Sequence, residues 1–406
     1  MKVSSLYICP WSLGDPLCQS QSLSYINCLT DAGYSFALIT LEIEKFSKTE
    51  ESNRQMRKEL AERNIYWYPV RWQTGNSILD KISSILPALL TGAKICYRHR
   101  PRLIHSRSSL TTFLSVPLAK IFRIPFLYDA DSILSEEYLD TKHLSSESKG
   151  FKLLAKSEAK ARASAVQIIV LTEKLKQDYQ QKFSVKTPIE VIPCCVDTEN
   201  FKFDEKLRVS RRRSLGLADE TLFTYVGKYG SWYLVDETID FFGAALKTNP
   251  EAKLLIVTQD TEETFHRILA EKRIPQSSYF IRRAAHCEVA GWLSAADAGL
   301  AFIKPLPSKR GSSPVKTSEY LACGLPVVSN SGVGDLEAVV ETTNSGVILR
   351  EFNAESYREA FEKLTALLQN ENLRENCRKA ARAHFDLEKV GGARYRRLYR
   401  ELLSPK

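Results

Sequence analysis

The 406-residue chain is long enough for two domains of ordinary size. Hydrophobic residues at 44% and charged residues at 26% exclude a disordered or fibrous protein, and no apolar run reaches the roughly 18–20 residues of a membrane-spanning helix. A net charge of +9 suits nucleic acid, an anionic membrane surface or phosphorylated small molecules; because the aromatics are not interleaved with the basic clusters as a stacking platform requires, no nucleic-acid partner is expected.

Taken in chain order, short apolar strands alternate with helices. Val3–Ile8 reads as a strand, too short and too soon broken by Pro10 for a signal peptide. A helix over Ser20–Ala32 and strands at Phe36–Leu41 and Ile65–Val70 flank a charged helix, Glu50–Arg63. A long helix from Ile78 to about Ile95, a strand at Leu103–His105, a helix near Thr111–Phe122 and a strand at Pro125–Asp129 follow. Helices at Glu147–Ala163 and Glu173–Phe183 then frame strands at Val166–Leu171 and Ile189–Pro193. This alternation predicts parallel strands joined by right-handed crossovers, a doubly wound α/β domain.

The rhythm lapses over Asp197–Leu217, which carries the run Arg211–Arg213, and restarts with strands at Leu222–Val226, Lys253–Thr258, Ala298–Phe302, Pro326–Ser329 and Gly346–Leu349. The chain therefore divides into an N-terminal domain, 1–202, and a C-terminal domain, 203–385, with the helix 386–406 packing back on the first. Two such domains bind ligands at the carboxyl ends of their strands, across a cleft. The nine cysteines are odd in number and contain no Cys-x-x-Cys pair, so no metal site is expected, and reduced, mostly buried thiols in the cytosol are.

The most informative stretch is SSPVKTSEYLACGLPVV, Ser312 to Val328. Ser313 suits an N-cap and Pro314 the first turn of a helix that stops at Gly324. A helix N-terminus offers free N–H groups and a positive dipole end to an anion. Lys316 in that first turn opposes the dipole, a conflict that a phosphate lying between them would resolve. Glu319 lies one turn on, on the same face, placed to accept from a ribose diol. The second stretch, YVGKYGSWY, runs from Tyr225 to Tyr233: a strand ends at Gly227 and a loop with Lys228 and Gly230 follows, the close backbone approach and cation that a diphosphate needs. Each stretch alone also reads as an ordinary cap or turn with solvated charges.

The order SEAKARASAVQIIVLTEKLKQDY, IEVIPCCVDTENF, VGKYG, HCEVAGWLSAADAGLAF, SPVKTSEYLACGLPVVS resembles the retaining glycosyltransferases of family 4. The resemblance implies the GT-B fold, two doubly wound Rossmann-like domains facing across a cleft. It puts Glu319 on the donor ribose, Lys228 and Lys316 on the diphosphate, backbone near Arg282 by the nucleobase, and the turn Ser312, Ser313, Pro314 and Val315 on the phosphates. Four features depart from the family: Gly311 replaces the first member of a paired glutamate, Ser231–Trp232–Tyr233 stands where a second lysine is usual, Cys194–Cys195 replaces Asn-Gly, and the first glycine-rich turn is thinned to Ser12–Leu13–Gly14–Asp15.

The acceptor is assigned to the N-terminal domain. His105 at a strand tip is the candidate to face the sugar, with Arg107, Asp129 and Asp131 beside it; local capping reads each of them equally well. Ile78, Ile82, Ile85, Leu86 and Leu89 share one helix face and precede Lys94, Arg98, Arg100 and Arg102. That face either packs on its own sheet or, with Arg98, Arg100 and Arg102, meets an anionic membrane.

The expected activity is metal-independent transfer of a sugar from a nucleotide-diphosphate sugar to a glycan or lipid-linked hydroxyl, with Lys228 and Lys316 stabilising the leaving group and no cofactor. By analogy it belongs to bacterial surface-polysaccharide or lipopolysaccharide assembly, in the cytoplasm or peripherally on the inner membrane face. A sugar-nucleotide epimerase of the same fold, or a binding protein with weakened transfer, is the alternative; a nicotinamide dehydrogenase is disfavoured because Gly-x-Gly-x-x-Gly does not follow Val3–Ile8.

Overall fold

The computed structural model describes residues 2–46, 49–73, 78–230 and 232–404, with the backbone alone for 78–83. It divides into two compact units: Met1–Pro193 with Leu387–Lys406, and Cys194–Asp386.

In the first unit, strands β1 (Ser5–Cys9), β2 (Phe36–Glu42), β3 (Ile65–Arg71), β4 (Leu103–Arg107), β5 (Phe126–Ala130), β6 (Gln167–Val170) and β7 (Ile189–Val191) form one sheet in the order β3-β2-β1-β4-β5-β6-β7. Every pairing is parallel. The order reverses between β1 and β4, the topological switch point of a doubly wound sheet. The strands are buried throughout their lengths at β1, β4 and β5, as helices on both faces require. The C-terminal helix Ala393–Leu403 belongs to this unit and buries Tyr395, Leu398, Tyr399 and Leu403.

The second unit holds β8 (Leu222–Val226), β9 (Lys253–Val257), β10 (Tyr279–Arg282), β11 (Ala298–Ala301), β12 (Val327–Asn330) and β13 (Gly346–Leu349), ordered β10-β9-β8-β11-β12-β13 and again wholly parallel. Successive residues feed opposite faces: Leu222, Leu255 and Val257 enter one apolar cluster, and Phe223, Leu254 and Ile256 another. That is why β8 and β9 read as unbroken apolar runs. β10 was not foreseen in the sequence, and the segment read as a bare boundary contains the helix Glu205–Ser214. That helix is N-capped by the Asp204 carboxylate on the Leu207 N–H and held by Arg208 and Arg212 on Asp297.

The long helix Ile78–His99 packs Ala88, Ile95 and Cys96 inward, with Ile85, Leu89 and Ala93 against them. Leu86, expected on that face, is instead 52% exposed; the side chains of Ile78 and Ile82 lie outside the described residues. No helix among the described residues is long and apolar enough to cross a membrane. All nine cysteines are free, and Cys287 alone of them is exposed.

Candidate functional site

In the second unit, β8 ends at Val226 and Gly227 follows, with a φ of +144° that side-chain-bearing residues rarely adopt. The turn is closed by the Tyr225 hydroxyl donating to the Lys228 carbonyl at 2.6 Å, and by the Tyr229 N–H on the Asp260 carboxylate at 2.7 Å. Gly230 also has positive φ, at +78°. The Lys228 side chain is exposed.

The helix Val315–Ala322 starts at Pro314, with no side-chain cap. This corrects the expected Ser313 cap: the Ser313 hydroxyl is occupied in accepting from the Cys194 N–H at 3.1 Å, while Ser318 donates to the Cys194 carbonyl at 3.2 Å. Ser312 turns back onto Lys309, its N–H 3.0 Å from that carbonyl. The first turn of the helix is therefore without any side-chain acceptor, and its N–H groups remain the positive end of the dipole.

Lys316 is 7% exposed, and its Nζ is buried with no hydrogen-bond partner among the described residues. The ammonium stands 3.5 Å from the ring centre of Tyr233 and 4.3 Å from that of Tyr225, where the ring faces attract it. A Cβ placed on Gly227 would come 2.7 Å from this Nζ, so the missing side chain is what lets the ammonium reach the strand tip. Burial lowers the Lys316 pKa to about 7, with Glu319 pulling the other way. Burial raises Glu319 to about 8 against the opposing pull of Lys316. His286 Nδ1 lies 4.0 Å from Glu319 Oε1. Tyr320, from the same helix, accepts the Val226 N–H at 2.9 Å and so fastens the helix to the end of β8.

Arg282 closes β10 level with Val257 and, through β9, with Val226, so it sits two strands from Gly227 on the same sheet edge. Its carbonyl already accepts from Thr258 N–H at 3.0 Å, and its Nη1 bonds the Ile281 carbonyl; backbone left for a ligand begins beyond it. The structure thus gathers Gly227, Lys316 and Glu319, sets Pro314 and Val315 at the open helix start, and leaves the Lys228 ammonium in solvent. Tyr225, Tyr233 and His286 had no role in the sequence reading. The two tyrosines bracket the YVGKYGSWY stretch, but only the fold shows that their rings close over a lysine 83 residues or more away.

In the first unit, the expected acceptor set changes character. His105 is fully buried: Nδ1 pairs with the Tyr399 hydroxyl at 2.8 Å, and Nε2 with Asp129 Oδ2 at 3.3 Å. Arg107 Nη1 donates to both Asp129 oxygens at 2.8 Å, and Tyr395 donates to Oδ2 at 2.6 Å. The reason is strand geometry. β4 runs on to Arg107, so His105 and Arg107 share one face, opposite Asp129 in register on β5, and the C-terminal helix covers that face. Burial lowers the His105 pKa against the opposing pull of Asp129, with Arg107 adding to the effect of burial. Burial alone would raise Asp129, but Arg107 and His105 outweigh it and hold the carboxyl at about 2. His105, Arg107 and Asp129 are thus enclosed in one hydrogen-bonded network, where the sequence reading expected them presented at a strand tip, and both Asp129 oxygens are taken up within it. Asp131 stands apart just past the end of β5: its Oδ1 is buried without a partner among the described residues, and burial raises it to about 7, opposed by Arg107 and helped by Glu137.

Residues 209–384 match the family model described as glycosyl transferases group 1, and residues 23–200 match glycosyltransferase family 4. No curated protein matches the chain. Among solved structures, sucrose-phosphate synthase from Thermosynechococcus elongatus is 18% identical with a TM-score of 0.72, covering 98% of this chain and 99% of its own. The Anabaena protein HepE in complex with UDP and glucose is 16% identical, TM-score 0.70, over 98% and 99%. WaaG, a glycosyltransferase involved in lipopolysaccharide biosynthesis, is 17% identical, TM-score 0.67, over 97% and 99%. These likenesses show the fold: two Rossmann-like domains of the GT-B kind.

Proposed function

The chain belongs to the family 4 glycosyltransferases through both of its matched halves, and from that premise we propose that it is a retaining, metal-independent enzyme moving a sugar from a nucleoside-diphosphate sugar to a glycan or lipid-linked hydroxyl. Its setting is cell-surface polysaccharide or lipopolysaccharide assembly on the cytoplasmic side of a bacterial membrane. The observation that carries this reading is the unpartnered Lys316 ammonium, held against the Gly227 backbone one helical turn from Glu319. HepE was solved with UDP and with UDP-glucose, so a UDP-hexose is the first donor to test.

In this mechanism the diphosphate lies along the Gly227 turn and the uncapped start of the Val315–Ala322 helix. Lys316 meets its oxygens, and Glu319 accepts from the ribose hydroxyls. The bond from the anomeric carbon to the diphosphate breaks, and the acceptor oxygen bonds the same carbon from the same face. The acceptor proton passes to the departing phosphate oxygen, so no carboxylate nucleophile is needed. Charge grows on the phosphate as the bond breaks, where a desolvated ammonium and a helix end stabilise it most. Asp131, with its unpaired oxygen and a pKa of about 7, is assigned to the acceptor hydroxyl.

Calorimetric titration with the common nucleoside diphosphates tests the donor site. One of them should bind, and Glu319→Ala should weaken it roughly tenfold, the worth of the two hydrogen bonds a ribose diol offers, while Asp131→Asn keeps binding and loses transfer. Failure of every nucleoside diphosphate to bind would remove the reading. Gly311, which forms the end of a 3-10 turn where the family's first glutamate would stand, favours a second reading, a nucleotide-sugar-binding protein without transfer; binding with no product across an acceptor panel would establish it. Turnover should survive excess EDTA unchanged, since lysine and helix dipole take the place of a divalent ion, and complete loss on chelation would exclude the metal-free mechanism.

A further inference from the structure

From Lys81 to Tyr128 the sequence contains no aspartate or glutamate, but eight lysines and arginines. The structure makes a surface of this composition in the first unit. The helices Ile78–His99 and Thr112–Phe122 pack directly together: a Cβ on Gly92 would come within 2.5 Å of Leu118. On the outer side of the first helix, Leu86, Leu90 and Tyr97 fall within about 40° of one another at 3.6 residues per turn, and they are 52%, 61% and 77% exposed. Ile121 on the second helix is 70% exposed. Around these tips Lys94, Arg98, Arg100, Lys120 and Arg123 are all exposed, and none forms an ion pair among the described residues. Lys94 and Arg98 also line, with Arg57, Tyr66 and Tyr68, a groove of about 620 Å³ along the edge strand β3. Arg102 does not join them, because its Nη1 donates to the Leu403 carbonyl at 2.9 Å.

An ordinary soluble surface mixes both signs of charge and scatters its apolar residues singly. Here charges of one sign surround projecting aliphatic tips on two neighbouring helices. Nucleic acid would use the charges but has no place for three aliphatic side chains. A planar layer of anionic headgroups over acyl chains uses both. We propose that this face docks on an anionic lipid bilayer, with Leu86, Leu90, Tyr97 and Ile121 entering the boundary between headgroups and acyl chains and the five basic residues at the lipid phosphates. The proposal is independent of the donor chemistry in the other unit.

The test is flotation of the full chain with vesicles of phosphatidylcholine alone or mixed with phosphatidylglycerol. Binding is expected only to the anionic vesicles and should fall as salt is raised. The triple variant Lys94→Gln, Arg98→Gln, Arg123→Gln should bind roughly a hundredfold more weakly, from about 1 kcal/mol per basic residue at an anionic leaflet. The triple variant Leu90→Ser, Tyr97→Ser, Ile121→Ser should lose the fraction that resists high salt. All six positions are exposed, so both variants should keep the wild-type melting temperature and nucleoside-diphosphate binding. Equal flotation with both vesicle types, no flotation at all, or unchanged affinity in the charge variant would overturn the proposal. RNA binding that the charge variant abolishes, without flotation, would assign the face to nucleic acid. A solution dimer broken by the apolar variant, without flotation, would assign it to a second copy of the chain.

Discussion

Lys316→Met is expected to lower kcat by about 10²–10³-fold, the usual effect of removing one preorganised group from developing charge, while making the ligand-free protein more stable. Both effects have one cause. The ammonium is buried without a hydrogen-bond partner, with two tyrosine rings as its near neighbours, so the empty site carries an uncompensated cost that a diphosphate would repay. A methionine fills similar space without a polar head. Removing one unsatisfied buried group is worth about 1–3 kcal/mol, or roughly 2–12 °C in melting temperature for a unit of this size. The gain has a pH signature. A lysine whose folded pKa is lowered to about 7 from 10.5 penalises the fold fully at and below pH 7, and progressively less as pH rises toward its unfolded value. The stabilisation by Lys316→Met should therefore be largest at and below about pH 7 and fade by about pH 10. A variant with unchanged kcat and unchanged melting temperature would show that the ammonium neither meets a ligand nor burdens the fold.

How far this site could be read from the sequence follows from how local each part of it is. The helix with Lys316 against its dipole is a contradiction within one turn, visible in SSPVKTSEYLA itself. The strand ends at Val226 and Leu349 were legible because an apolar run stops there at a glycine, a lysine or an arginine. The tyrosine rings over Lys316 were not, since the turn after β8 and the helix before β12 meet only through the sheet order. Ser313 is a good N-cap by propensity, and tertiary contact overrode it: the Cys194 N–H claims the hydroxyl. β10 was missed because it is four residues ending in arginine, at the sheet edge beside β9. The burial of His105 was not legible for the same kind of reason. A histidine near a strand end points to a binding edge only if the strand stops there, and its cover comes from a helix almost 300 residues later.

That buried histidine network supports the second large effect: Asp129→Asn should destabilise the first unit by about 3–5 kcal/mol, the cost of breaking a buried ion pair from one side. Asp129 is wholly enclosed and receives Arg107, Tyr395 and His105. Removing its charge leaves the Arg107 guanidinium, whose Nε already lacks a partner, buried and uncompensated. The damage should be located where the network ties the chain together, between β4, β5 and the helix Ala393–Leu403. Hydrogen exchange should accelerate in those three segments, with a lower unfolding midpoint. The native carboxyl, held at about 2 against an ordinary 3.8, contributes stability that is present above about pH 4 and lost as pH falls through about 2; the variant should lack this acid transition. The pair Arg107→Met with Asp129→Leu removes both charges at once, and replacing a buried ion pair by apolar side chains is often neutral. It should therefore recover most of the loss. If the double variant were as unstable as Asp129→Asn, the penalty would lie in lost shape or lost tyrosine hydrogen bonds and not in an orphaned charge. If Asp129→Asn kept the wild-type midpoint and exchange pattern, the network would not be what holds the C-terminal helix to the sheet.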